Sequence, residues 1–179
     1  MIVTSVAGGA EIARRCLPTA VQNADVVSVV VDLGWRDSGV RILRLDYQFM
    51  TCQRSWTGRE AEVWGGIVTV QRKNGRARLE SHGEYSKDQA TALAIKMGRF
   101  PPTAMDIRHI DLDLAVMENR LATLLPMAPN AHTLALRQEE GQPVWSLVAE
   151  KLDGEVVTVH WNALTGDCTY SMTESTSST

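Results

Sequence analysis

No apolar run in this sequence approaches the roughly 20 residues that a helix needs to cross a bilayer. Its start, MIVTSVAGGAEIARR, has no basic stretch followed by an apolar core. Neither a membrane-spanning helix nor a retained export signal is expected. The chain reads as cytoplasmic, or as periplasmic if a signal has been trimmed away. Cysteine is scarce: Cys16, Cys52 and Cys168 are an odd number, widely spaced, with no CxxC pair. That argues against zinc and against a full disulfide framework, and leaves three reduced, mostly buried thiols. His82, His109, His132 and His160 fall in separate segments with no HExxH or HxH spacing, so no metal is expected. GxSxG, Walker and GxGxxG patterns are missing, and no pair of acids stands out as an acid and a base. No cofactor is implied, and the chain reads as non-enzymatic.

What is present is ordinary globular material. The 179 residues are 44% hydrophobic and 22% charged, enough for one large domain or two small ones that bury roughly 70% of the unfolded surface. A net charge of −3 gives no global reason to expect nucleic acid or an acidic membrane. Its distribution is uneven. Residues 1–99 carry 14 Lys+Arg against 10 Asp+Glu, and residues 100–179 carry 4 against 11.

Local patterns suggest a short strand at 2–6, a break at Gly8-Gly9, and a helix from Glu11 to Asn23 interrupted at Pro18. VVSVVVDL from Val26 is continuous and β-branched, as in a strand covered on both faces. In VRILRLDYQFM, Leu43, Leu45, Tyr47 and Phe49 alternate with Arg44, Asp46 and Gln48, so one face is wet. EVWGGIVTVQR and RARLESH are joined by Asn74-Gly75, a strong hairpin signal. Ser86 with Gln89 suggests a capping box opening a helix over 86–98, and FPPTAMDIRH reads as a linker. Leu114, Met117, Leu121, Leu124 and Leu125 share a helical stripe that stops at Pro126. Strands follow at LALRQEE, VWSLVAEK, EVVTVHW and DCTYSM, with turns at Glu140-Gly141, Asp153-Gly154 and Leu164-Thr165-Gly166.

The two halves echo each other. Leu17-Pro18 leads through Asn23-Ala24 into a meander, and Leu125-Pro126 leads through Asn130-Ala131 into another. The shared order of elements carries more weight than the letters, because helix-to-strand corners favour Asn and Pro generally.

The helix ending LATLLP, the segment PVWSLVAEK with its strand-borne Trp145, the Asp153-Gly154 hairpin and HWNALTGDC together resemble a PepSY-type domain over residues 110–172. The resemblance implies a helix on an antiparallel sheet, and an inhibitory or interaction role without catalysis. Asn162 stands where that family usually has an acid, and the resemblance carries no catalytic residues.

Asp111 and Asp113 straddle a helix start, where unpaired N–H groups favour carboxylates, and capping accounts for them without magnesium. Trp64, Trp145 and Trp161 read as core. Trp35 and Arg36 in GWRDSG, and Arg54, Trp56 and Arg59 in QRSWTGRE, combine the residue types enriched at binding hot spots. A loop Trp folded over a sheet edge is the plainer account of both. Arg41, Arg44, Arg72, Lys73, Arg76 and Arg78 make the first meander basic. An acidic protein surface, either the second half or another protein, suits it better than nucleic acid, for which the RNP aromatic pattern is missing.

The expectation is therefore an α+β protein of two helix-plus-antiparallel-sheet modules. One spans 1–99 with the basic meander, 100–109 links it to a PepSY-like module over 110–172, and 173–179 is a disordered tail. Two modules predict that 104–172 folds alone. The expected function is non-catalytic binding of a protein partner, as an inhibitor or immunity-type protein masking an enzyme, with homodimerisation through sheet edges left open. A small-ligand-binding module and an enzyme without recognisable motif are the alternatives.

Overall fold

The β-branched run at 26–33 becomes β1 (Asp25–Arg36), and it sits at the centre of the molecule. In a computed structural model, which describes residues 2–36, 39–52, 62–86, 89, 104–110, 112–124, 131–150 and 156–173, β1 is followed by β2 (Gly39–Cys52), β3 (Glu62–Gln71), β4 (Ala77–Ser86), β5 (Ala131–Glu139), β6 (Gln142–Glu150), β7 (Val156–Asn162) and β8 (Cys168–Thr173). All eight belong to one antiparallel sheet of order β4-β3-β2-β1-β5-β6-β7-β8. The described helices are α1 (Val6–Arg14) and α2 (Leu114–Leu124).

This corrects the expected pair of α+β modules. The chain is mostly a single sheet with two short helices, and its two meanders share one core. The cause is the pairing of β1. One edge takes β2 over eleven residue pairs, and the other takes β5 over four, Ser28–Val31 against Leu134–Arg137. Val29, Val31, Leu45, Tyr47, Leu134, Leu136, Trp145 and Trp161 consequently lie in one buried cluster.

The helix over Glu11–Asn23 is also corrected. Ser5 caps α1 by accepting the Gly8 N–H at 3.0 Å, so Gly8 and Gly9 lie inside the helix instead of breaking it. Gly9 is there for space: a Cβ on it would fall 2.1 Å from Tyr47 Oη. That hydroxyl donates to Val6 O at 2.8 Å, which pins α1 to β2. Ser86 is the last residue of β4 rather than a helix cap. Residues 87, 88 and 90–98 of the expected helix over 86–98, Asp111, the Asp153-Gly154 turn and residues 174–179 of the expected tail lie outside the described residues.

The expected strand over 2–6 does not form: Ser5 is the N-cap and Val6 the first residue of α1. The turn readings do hold. At the Asn74-Gly75 turn, Gly75 N donates to Gln71 O at 2.9 Å. Glu140 and Gly141 both have positive φ, 48° and 82°, the geometry that a two-residue hairpin needs to match strand twist. Asn162 Oδ1 accepts the N–H groups of Leu164 and Thr165 at 2.9 and 3.1 Å, which shapes the β7–β8 turn. Residues 104–110, from the expected linker, lie against β1: Met105 N donates to Val26 O at 2.9 Å, and Met105 and Ile107 are buried. Nearby, hydrogen bonding by Arg108 holds the Asp106 carboxyl well below the usual carboxylate range. Cys16 is half-buried and Cys168 exposed, so the thiols are less sequestered than expected.

Both helices lie on one side of the sheet. α2 ties two distant parts of it together. At one end Leu112 N donates to Ala163 O and Arg120 to Gly166 O, each at 3.0 Å, and Trp145 Nε1 donates to Leu112 O at 2.8 Å. At the other, the buried Glu118 accepts the Ile42 N–H at 2.8 Å and pairs with Arg72 and Arg41.

Candidate functional site

Alternation along the strands sends one set of side chains to the helices and the other to the far face of the sheet. Register then fixes which far-face residues are neighbours. One row runs Ile67, Gln48, Ser28, Arg137, Val144, Asn162. The next runs Thr69, Asp46, Val30, Ala135, Ser146, His160. Arg44 lies beside Asp32 one step further on.

Acidic and basic side chains lie beside one another on this face. Arg44 Nε lies 3.4 Å from Asp46 Oδ1, and its Nη2 lies 3.8 Å from Asp32. Thr69 donates to the same Asp46 oxygen at 2.6 Å, which orients that carboxylate. Across the central seam, Arg137 Nε meets Glu139 Oε1 at 2.5 Å, and His160 Nδ1 lies 3.6 Å from the other Glu139 oxygen. Between the two groups lie Ser28, which donates to Gln48 at 3.0 Å, and the small residues Ala135 and Ser146. Arg44 and Asp32 remain 42% and 49% exposed, and Val148 on the same face 42%. The result is a face of alternating sign whose middle holds the small, buried Ser28 and Ser146.

The residues expected at the site are distributed otherwise. Trp35 and Arg36 close the β1–β2 hairpin, paired with Val40 and Gly39. Arg54, Trp56 and Arg59 lie outside the described residues, in the stretch entered from Cys52. Gly39 and Cys52 are opposite ends of β2, about 43 Å apart at ~3.3 Å per residue. The two Trp/Arg segments are therefore anchored at opposite ends of one strand.

The basic character of the first meander is largely spent within the chain. Arg41 and Arg72 pair with Glu118, Arg44 with Asp32 and Asp46, and Arg78 with Glu80. Wet-face alternation in VRILRLDYQFM pointed to Arg44, Asp46 and Gln48. Nothing local pointed to Arg137, Glu139 and His160 as their neighbours across the seam, since that depends on which strand β1 accepts as its second partner.

Among the described residues no three His, Cys, Asp or Glu side chains gather as a metal site would need, and no helix is long and apolar enough to cross a membrane. Comparison with protein-family models, with curated proteins and with solved structures gives no match.

Proposed function

We propose that this chain is a non-catalytic protein-binding protein of the inhibitor or immunity type, which masks an enzyme partner with the sheet face away from the helices. The observation that carries this reading is the ordered alternation of charge on that face, Asp32, Arg44 and Asp46 on one side of the seam and Arg137, Glu139 and His160 on the other. Side chains already held by neighbours lose little freedom on binding. A mixed pattern selects a partner surface with the opposite alternation. A polyanion would meet three carboxylates there, which is why a protein is favoured over nucleic acid.

The test is capture from the native organism's lysate on the full chain at low and moderate salt. The expected result is one stoichiometric, salt-sensitive protein whose activity falls as the chain is added. It should be lost from the Arg44→Glu/Arg137→Glu variant, whose fold is checked by its urea midpoint. Retention of nucleic acid alone, or a partner indifferent to both reversals, would sink the proposal.

A further inference from the structure

The two edges of the sheet are built differently. β4 is shielded: its register against β3 shifts between Ile67 and Val68, bulging it at Glu80, and it presents Arg78, 80% exposed, with Glu80 and Glu84. Bulges and charges are the devices that keep an edge from pairing with another strand. β8 has none of them. Its sequence, CTYSMT, has no charge, proline or glycine, and it keeps unbroken register with β7 over six residue pairs. Among the described residues it is the outermost strand on its side.

We propose that β8 pairs antiparallel with β8 of a second copy of this chain, about a two-fold axis perpendicular to the sheet, so that two eight-stranded sheets run on as one. Register within the chain sets Cys168, Tyr170 and Met172 beside Trp161, Val159 and Val157, which are buried on the helix side. Such an axis keeps helix side on helix side, so only residues of like parity can stand opposite. With Tyr170 on the axis, Cys168 faces Met172 of the second copy and Thr169 faces its Ser171. No charged residue then stands opposite another across the pairing. A short seam suffices in this fold, because β1 and β5 join the two meanders through only four residue pairs. A stable interface usually buries about 1,200–2,000 Å², more than one short strand pair supplies, so the dimer is weak and concentration-dependent.

Sedimentation velocity of the full chain over a concentration series should show a reversible monomer–dimer equilibrium. Met172→Pro, which removes an N–H that points away from β7, and Ser171→Lys, which places like charges near the axis, should both leave monomer at every concentration with the urea midpoint kept. Added salt should partly restore the lysine variant, and Arg78→Ser on the shielded edge should change nothing. A nitroxide on Cys168, in a Cys16→Ser/Cys52→Ser background, should report one narrow distance, with the labelled Cα atoms about 14 Å apart for the Tyr170-centred register and about 20 Å for the Ser171-centred one. A chain monomeric throughout, or a dimer that survives Ser171→Lys or is lost with Arg78→Ser, would overturn the proposal.

Discussion

One oxygen of Asp113 accepts the first backbone N–H of both helices, from Val6 at 2.9 Å across 107 positions of sequence and from Leu114 at 2.8 Å. Helix starts leave N–H groups without partners and carry partial positive charge. A single carboxylate satisfies one such group in each helix and fixes their starts together. Asp113→Ala should cost about 1–2 kcal/mol for each cap it removes, and Asp113→Asn, which keeps an oxygen acceptor, should cost less. Urea unfolding of the two variants distinguishes them.

Alanine in place of a helical glycine ordinarily stabilises by about 1 kcal/mol. At Gly9 the sign should reverse, because the new methyl would fall 2.1 Å from Tyr47 Oη and overpacking of a core costs about 1–3 kcal/mol. In a Tyr47→Phe background, where that oxygen is gone, the penalty of Gly9→Ala should shrink. A four-member set of urea midpoints gives the coupling directly.

Burial, and secondarily the charge of Asp113, push the Tyr47 hydroxyl far above its usual range. The folded chain therefore holds a proton that the unfolded chain releases near pH 10. Stability from this group is full below that pH and declines as pH rises beyond it, by up to about 1.4 kcal/mol per unit. Urea midpoints from pH 8 to pH 11 should fall more steeply for the native chain than for Tyr47→Phe, and parallel curves would refute the linkage.

Glu118 is 5% exposed and takes the Ile42 N–H together with Arg72 and Arg41. Its truncation leaves the partly buried Arg72 guanidinium with only the Val3 and Ile42 carbonyls and the buried Ile42 N–H without an acceptor, so Glu118→Ala should destabilise by about 3 kcal/mol. Arg41, half exposed, should cost under about 1 kcal/mol when changed to Ala. Equal losses for the two variants would show that the carboxylate is not the anchor of α2.

A fragment spanning 104–172 should fail to fold cooperatively, contrary to the expectation of a free-standing module. Removing the first half strips β5 of its partner β1, uncovers Leu134 and Leu136, and leaves Glu118 without Ile42, Arg41 and Arg72. Near-ultraviolet circular dichroism and a urea transition of the fragment decide it, and a sharp transition would count against one shared core.

Most of the strands were legible because alternation and turn residues are local: Asn74-Gly75, Glu140-Gly141 and Leu164-Thr165-Gly166 all mark the hairpins that form. Trp145 and Trp161, read as core, are 0% and 2% exposed. What local pattern could not show was the neighbour of β1 across the seam, and with it the single sheet and the full membership of the charged face. Gly8-Gly9 misled for a related reason: a glycine pair ordinarily breaks a helix, and here Gly9 sits within one because a tyrosine some forty positions later fills the room a side chain would take.

The seam also sets an order of events during synthesis. β1 is complete at Arg36, but its second neighbour exists only once Arg137 has been made, on the order of 5–20 s later at ~5–20 residues per second. For that interval the strand destined for the middle of the sheet is an exposed edge rich in valine. The nascent first half is thus the form of this protein most open to wrong partners.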